Sequence, residues 1–183
     1  MDHISIIYLL LLVPCLLLSA FFSSAEAAFL SVRKVRVRSM AENKIEGADR
    51  VAQMIEEPER VLPTILLVNN LVNTAFTALF TVILISMTGE GKGVILATIV
   101  STILLLIFGE TLPKTVGIRY PEKLFFFSSR VITFIEKLLF PLTIVLQGIN
   151  KILATRLGAD PRAYFSEEEV KTASRKLLGT HLK

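Results

Sequence analysis

The 183-residue chain has a single cysteine, Cys15, and it lies inside an apolar run. No disulfide can close within one chain, and no metal cluster can be built from thiolates. Histidine is nearly as scarce: the 2 residues, His3 and His181, stand outside the long apolar runs. A zinc or copper site among those runs is therefore disfavoured. No nucleophile–base pair and no site for a metal-activated water is visible, so an enzyme is not expected. There is no repeat of fixed period and no low-complexity tract. The formal net charge is +4, but the basic residues cluster beside apolar blocks and read as topology signals. The remaining soluble surface is too small for a basic stripe, so nucleic-acid binding is not expected.

What is abundant is apolar sequence. Hydrophobic residues make up 52% of the chain, with a mean hydropathy of +0.62, and they fall in blocks. One membrane domain followed by a short soluble tail fits this length. The first block, residues 4–30, exceeds the roughly 20 residues a helix needs to span a bilayer. Its start imitates a secretory signal, with Ala25-Glu26-Ala27 as a small-x-small site. The segment before the run has no Lys or Arg, however, and Arg33, Lys34, Arg36 and Arg38 come after it. That order argues for a retained span with its N-terminus outside and the basic cluster in the cytoplasm.

Residues 43–60 are polar, with Gly47 and Pro58 as breakers, and residues 48–57 read as a short amphipathic helix burying Val51, Met54 and Ile55. A second block starts at Pro63, a residue suited to a first helical turn, and runs to Met87. Residues 88–93 read as a tight turn on the outer side. The third block, residues 94–108, ends in Gly109-Glu110-Thr111-Leu112-Pro113-Lys114, with Arg119 and Lys123 on the inner side. Residues 124–157 carry positive charge at both ends, which favours an interfacial or hairpin segment over a fourth span. From Ser166 an N-cap and three glutamates open a soluble helix. The expected fold class is an all-α membrane protein with three transmembrane helices plus cytoplasmic juxtamembrane or interfacial helices. Residues 1–157 form its membrane domain, and residues 158–183 begin a cytoplasmic acidic helical segment.

Three polar clusters interrupt the apolar blocks. Ser19, Ser23 and Glu26 share one helix face. The serines could simply bond their own helix, but an intramembrane carboxylate costs at least about 2.5 kcal/mol and is usually functional. Asn70 and Asn73 also face together, with Asn69 about 100° round from Asn70. One asparagine would fit ordinary interhelical bonding; three within residues 69–73 fit a polar cavity better. In the third cluster Pro113 has no N–H, so the carbonyl of Gly109, four residues back, loses its helix partner beside Glu110. All these donors are oxygens, the preference of hard cations such as Mg²⁺, Ca²⁺ or Na⁺. Interrupted helices that offer carbonyls to an ion are a recurrent device of transporters.

Taken in order, Ser19-Ala20-Phe21-Phe22-Ser23-Ser24-Ala25-Glu26, Asn69-Asn70-Leu71-Val72-Asn73 and Gly109-Glu110-Thr111-Leu112-Pro113-Lys114 resemble the transmembrane module of the CNNM/CorC family of magnesium transporters. The resemblance implies a homodimer in the cell membrane that exports Mg²⁺, with Na⁺ as the proposed exchanged ion. With the three clusters it gives the expectation of a dehydrated Mg²⁺ held by Ser19, Ser23, Asn70, Asn73, Gly109 and Glu110, in a site whose depth between midplane and inner side opens it towards the cytoplasm. ATP would act only through a pair of CBS domains, which this chain does not include. The family often has Gly-Ser where this chain has Ser24-Ala25, which leaves the role of Ser24 open, as is that of Asn69. A different class of function, a membrane-anchored cation sensor or scaffold for a cytoplasmic regulatory part, would use the same polar cluster without transport.

Overall fold

The computed structural model describes the backbone of residues 3–157 and the side chains of residues 7–139. The expected tail, including the helix from Ser166, lies outside the described residues. Every described element is helical: α1 (His3–Ser31), α2 (Lys34–Glu42), α3 (Ala48–Glu56), α4 (Pro58–Thr88), α5 (Glu90–Leu104), a π-helical segment (Leu105–Thr111), α6 (Leu112–Arg119) and α7 (Pro121–Leu157). Among the described residues, 3 stretches are long and apolar enough to cross a membrane: Ile7–Ser31, Pro58–Thr88 and Glu90–Arg119. They correspond to the three expected spans.

The boundaries differ from expectation in three places, each for a local reason. The second span begins at Pro58, not Pro63, because Pro58 sits in the first turn, where its missing N–H costs nothing. The tight turn expected over residues 88–93 contracts to Gly89, whose φ of 86° and ψ of 162° reverse the chain alone. Gly93 is already helical, and a Cβ there would lie 2.7 Å from the Ile85 Cα. Its glycine serves close packing of α5 on α4. The third span does not stop at Gly109. It widens into the π-helical segment and resumes as α6, because one extra residue per turn absorbs the bond that Pro113 cannot make.

The buried stripe of α1 holds Leu12, Ser19, Phe22 and Ser23, spacings of three, four and seven that keep one face inward. On α4, Ile65, Asn69, Phe76 and Ile83 are buried at related spacings. Leu12, Phe76, Ile83 and Leu105 form one apolar cluster. A larger one lies at the basic end of the spans. There Ala28 and Phe29 of α1 meet Val37, Val51, Met54, Ile55, Val61, Phe125 and Ile132. α3 is thus amphipathic as expected, with Val51, Met54 and Ile55 buried. The rings of Phe29 and Phe125 are 5.1 Å apart, a pairing worth about 0.5–1.5 kcal/mol beyond burial.

Ion pairs fasten the start of α7 to this belt. Arg36 reaches Glu122 at 3.0 Å, Arg130 reaches Glu46 at 2.8 Å and Arg60 reaches Glu136 at 3.2 Å. The exposed pairs contribute little. Glu136 differs, because burial pushes its carboxyl above the usual range, against the lowering effect of Arg60. A raised folded-state pKa means that the folded protein holds the proton longer than the unfolded chain. Stability is therefore lost as pH rises from the unfolded value through the folded one. Glu136→Gln should flatten the melting-temperature profile across that window and leave the midpoint within a few degrees at low pH. Parallel melting curves for parent and variant, followed in detergent from pH 4 to 8, would overturn the assignment.

Candidate metal-ion site

The polar clusters of the three spans meet where α1 crosses α4 and the π-helical segment. The Ser19 hydroxyl donates to Asn73 Oδ1 at 2.6 Å and lies 3.5 Å from the Gly109 carbonyl oxygen. Asn73 in turn donates through Nδ2 to Glu110 Oε1 at 3.2 Å. A hydroxyl, a carboxamide, a carbonyl and a carboxylate are thus drawn into one oxygen-rich knot linking three spans. Ser19 is fully buried and Gly109 is buried, while Asn73 and Glu110 are half-buried. Gly109 lets the two groups approach: a Cβ there would fall 2.7 Å from Ser19 Oγ and turn that hydroxyl aside.

α1 and α4 run antiparallel, so one turn towards the basic end from Ser19 is Ser23, and one turn from Asn73 is Asn69. Both are buried, and Ser23 Oγ and Asn69 Oδ1 have no hydrogen-bond partner among the described residues. Unmade hydrogen bonds of buried groups cost about 1–3 kcal/mol each. Two at one level mark a place prepared for something polar. A further step in the same direction, Glu26 Oε2 lies 3.3 Å from Lys114 Nζ. Glu26 is therefore paired across to α6.

Of the sequence-predicted residues, Ser19, Asn73, Gly109 and Glu110 are linked through Ser19 and Asn73, and Ser23 is buried one turn away. Asn70 makes no hydrogen bond to them among the described residues. Its side chain is exposed and lines a shallow groove on α4 with Asn73, Thr74, Thr77 and Ala78. Asn69 takes the inward position instead, and its spacing of four from Asn73 was the signal for it. The open question over Ser24 also has a local answer: its hydroxyl donates to the Phe21 carbonyl of its own helix at 2.8 Å. Among the described residues there is no group of His, Cys, Asp and Glu of the kind that holds a transition metal.

The arrangement suits a hard cation. Mg²⁺ takes about six oxygens at short distance, and the knot plus Ser23 and Asn69 offers hydroxyl, carboxamide, carbonyl and carboxylate oxygens. The π-helical segment supplies the carbonyl, since irregular backbone at membrane depth persists mainly where it lines a cavity or protein. Such bulges occur frequently at functional sites.

Relatives are similar to this sequence over most of its length. The profile of the Cyclin M transmembrane N-terminal domain family, CNNM, matches residues 10–177. A UPF0053 protein of Haemophilus influenzae is 37% identical over 173 residues, covering 92% of this chain and 41% of the relative. The UPF0053 inner membrane protein YfjD of Escherichia coli is 34% identical over 159 residues, covering 85% of this chain and 37% of its own length. A chloroplastic DUF21 domain-containing protein of Arabidopsis thaliana is 34% identical over 167 residues, 88% of this chain and 25% of the relative. The chain thus spans about two fifths or less of the curated relatives it matches. With the family profile covering nearly all of the described spans, the chain belongs to the CNNM family of membrane domains.

Proposed function

We propose that the chain is the ion-conducting membrane domain of a Mg²⁺ exporter, with Na⁺ as the exchanged ion. The observation that carries this reading is the oxygen-only knot of Ser19, Asn73, Gly109 and Glu110 at a π-helical break. Ser23 and Asn69, without hydrogen-bond partners among the described residues, lead from the knot towards the basic end of the spans. Arg33, Arg36, Arg38, Arg60, Arg119 and Lys123 gather at that end, whereas the opposite end has Lys92 in the first turn of α5. That asymmetry supports a cytoplasmic basic end and an outside N-terminus. The start of α7 packs with α2 and α3 at the same end, which supports a juxtamembrane course for that part of the helix. Asn70 and Thr74 are exposed on a membrane helix, where lipid would leave a carboxamide unsatisfied. A second copy of the chain covering this strip, in a homodimer, resolves that cost. Nucleotide control would require cytoplasmic domains beyond this chain.

The test is Mg²⁺ flux by purified protein in proteoliposomes, with and without a Na⁺ gradient, beside Mg²⁺ binding by calorimetry. Transport predicts flux that the gradient accelerates; a cation sensor would bind without flux. Pro113→Ala sharpens the test. The new N–H can bond the Gly109 carbonyl and compete for the oxygen that the site needs. Affinity should fall on the order of tenfold, although no side-chain ligand has been removed. Unchanged binding and flux in this variant would show that the π-helical carbonyl is not a ligand.

A further inference from the structure

A second polar cavity opens at the basic end of the spans, where α1 passes into α2 and α6 into α7. Its lining includes Arg33, Arg36, Arg119 and Lys123, with Glu122 as the acidic residue, and an apolar wall at Ile118. Of the four cations, Arg36 is held by Glu122 at 3.0 Å. Arg119 lies 5.9 Å from the centre of the Tyr120 ring and bonds its hydroxyl at 3.4 Å. Arg33 and Lys123 are exposed, and neither has an ion-pair partner among the described residues.

We infer that this cavity binds the phosphate headgroup of an anionic phospholipid. Guanidinium groups are the preferred partners of phosphate, which they can grip through two parallel bonds. The position selects a lipid over a free anion. Ser31 and Arg119 end two membrane spans, so the cavity lies at headgroup depth. Ile118 and Tyr120 on its rim are 61% and 51% exposed. An isoleucine turned outward suits an acyl chain, and a tyrosine is at home at the membrane interface. Basic pockets between spans on the cytoplasmic side are typical sites for anionic headgroups. The chemistry differs from that of the metal-ion site, which collects oxygens, whereas this cavity collects cations. It does not depend on Mg²⁺ transport.

The experiment uses the full chain in detergent, titrated with phosphatidylglycerol, with phosphatidylcholine or with inorganic phosphate. Retained lipid is counted by native mass spectrometry and the melting temperature is followed in parallel. Phosphatidylglycerol should bind at least about tenfold more tightly than phosphatidylcholine and raise the melting temperature. Arg33→Gln combined with Lys123→Gln should weaken it about twenty-five-fold, each cation near an anionic headgroup being worth roughly fivefold. Both residues are exposed, so folding should be unaffected. Lys44→Gln with Lys137→Gln removes the same charge from exposed positions outside the cavity and should leave binding near the parent value. Equal losses in the two double variants would reduce the effect to general charge attraction and overturn the site. Stabilisation by inorganic phosphate as strong as by phosphatidylglycerol would overturn the lipid assignment.

Discussion

Replacing Asn73 with alanine should lower Mg²⁺ affinity on the order of a hundredfold and leave the fold nearly intact. Asn73 is the hinge of the knot: its Oδ1 accepts from Ser19 at 2.6 Å and its Nδ2 donates to Glu110 at 3.2 Å. On the proposed reading alanine removes a ligand oxygen, and it also releases the hydroxyl and the carboxylate on either side. Interactions with charged groups are worth about 1.5–3 kcal/mol each, which sets the scale. The cost to folding is far smaller, because interhelical hydrogen bonds in membranes average roughly 0.6 kcal/mol. Asn70→Ala should cost less, since its side chain is exposed and makes no hydrogen bond to Ser19 or Glu110 among the described residues. Ser86→Ala, whose hydroxyl serves its own helix by bonding Ile83, should have little effect. Titration calorimetry on the three variants decides the matter. If Asn73→Ala binds Mg²⁺ like the parent protein, the knot is a packing feature and the ion site lies elsewhere.

The two asparagines show how far the site could be read before the fold was known. Asparagines among leucines and valines announce a buried polar function, because lipid and apolar core alike penalise a free carboxamide. Which of them faces inward is a matter of helix phase. Asn69 and Asn70 differ by about 100°, and either can share a face with Asn73, at spacings of four or three. The choice needs the neighbouring span. Ile65, Phe76 and Ile83 turn towards the interior, and Asn69 falls on their face. In a helix this apolar all round, no amphipathic contrast marks that face in the sequence. The π-helical segment was hidden for a related reason. Pro113 pointed to a disturbed bond at Gly109, but Leu105 to Phe108 are ordinary apolar residues with no local signature for a wider turn. By contrast α3 was legible, since Val51, Met54 and Ile55 alternate with charged neighbours at a helical spacing.

Gly117→Ala should lower the melting temperature by roughly 2–12 °C. At an unobstructed helix position the same change would stabilise by about 1 kcal/mol, because alanine is the better helix former. Here α6 presses directly on α1. A Cβ at residue 117 would collide with the Ser24 carbonyl oxygen, and it would lie 2.9 Å from Ala27 Cβ and 3.1 Å from the Ala28 nitrogen. Two of these three obstacles are backbone atoms, which cannot turn aside, so the helices must separate. Overpacking of this kind costs about 1–3 kcal/mol, and each kcal/mol moves the midpoint by roughly 2–4 °C at this chain length. The separation would also draw α6, which carries Lys114, away from Glu26 on α1, so Mg²⁺ affinity should fall together with stability. Gly109→Ala provides the contrast. Its nearest obstacle is the Ser19 hydroxyl at 2.7 Å, a group that can rotate away. That variant should melt close to the parent while losing Mg²⁺ affinity, because the rotation takes Ser19 from Asn73 and from the Gly109 carbonyl. A rise in melting temperature for Gly117→Ala would show that α1 and α6 do not pack at this distance, and the pairing of Glu26 with Lys114 would fall with it.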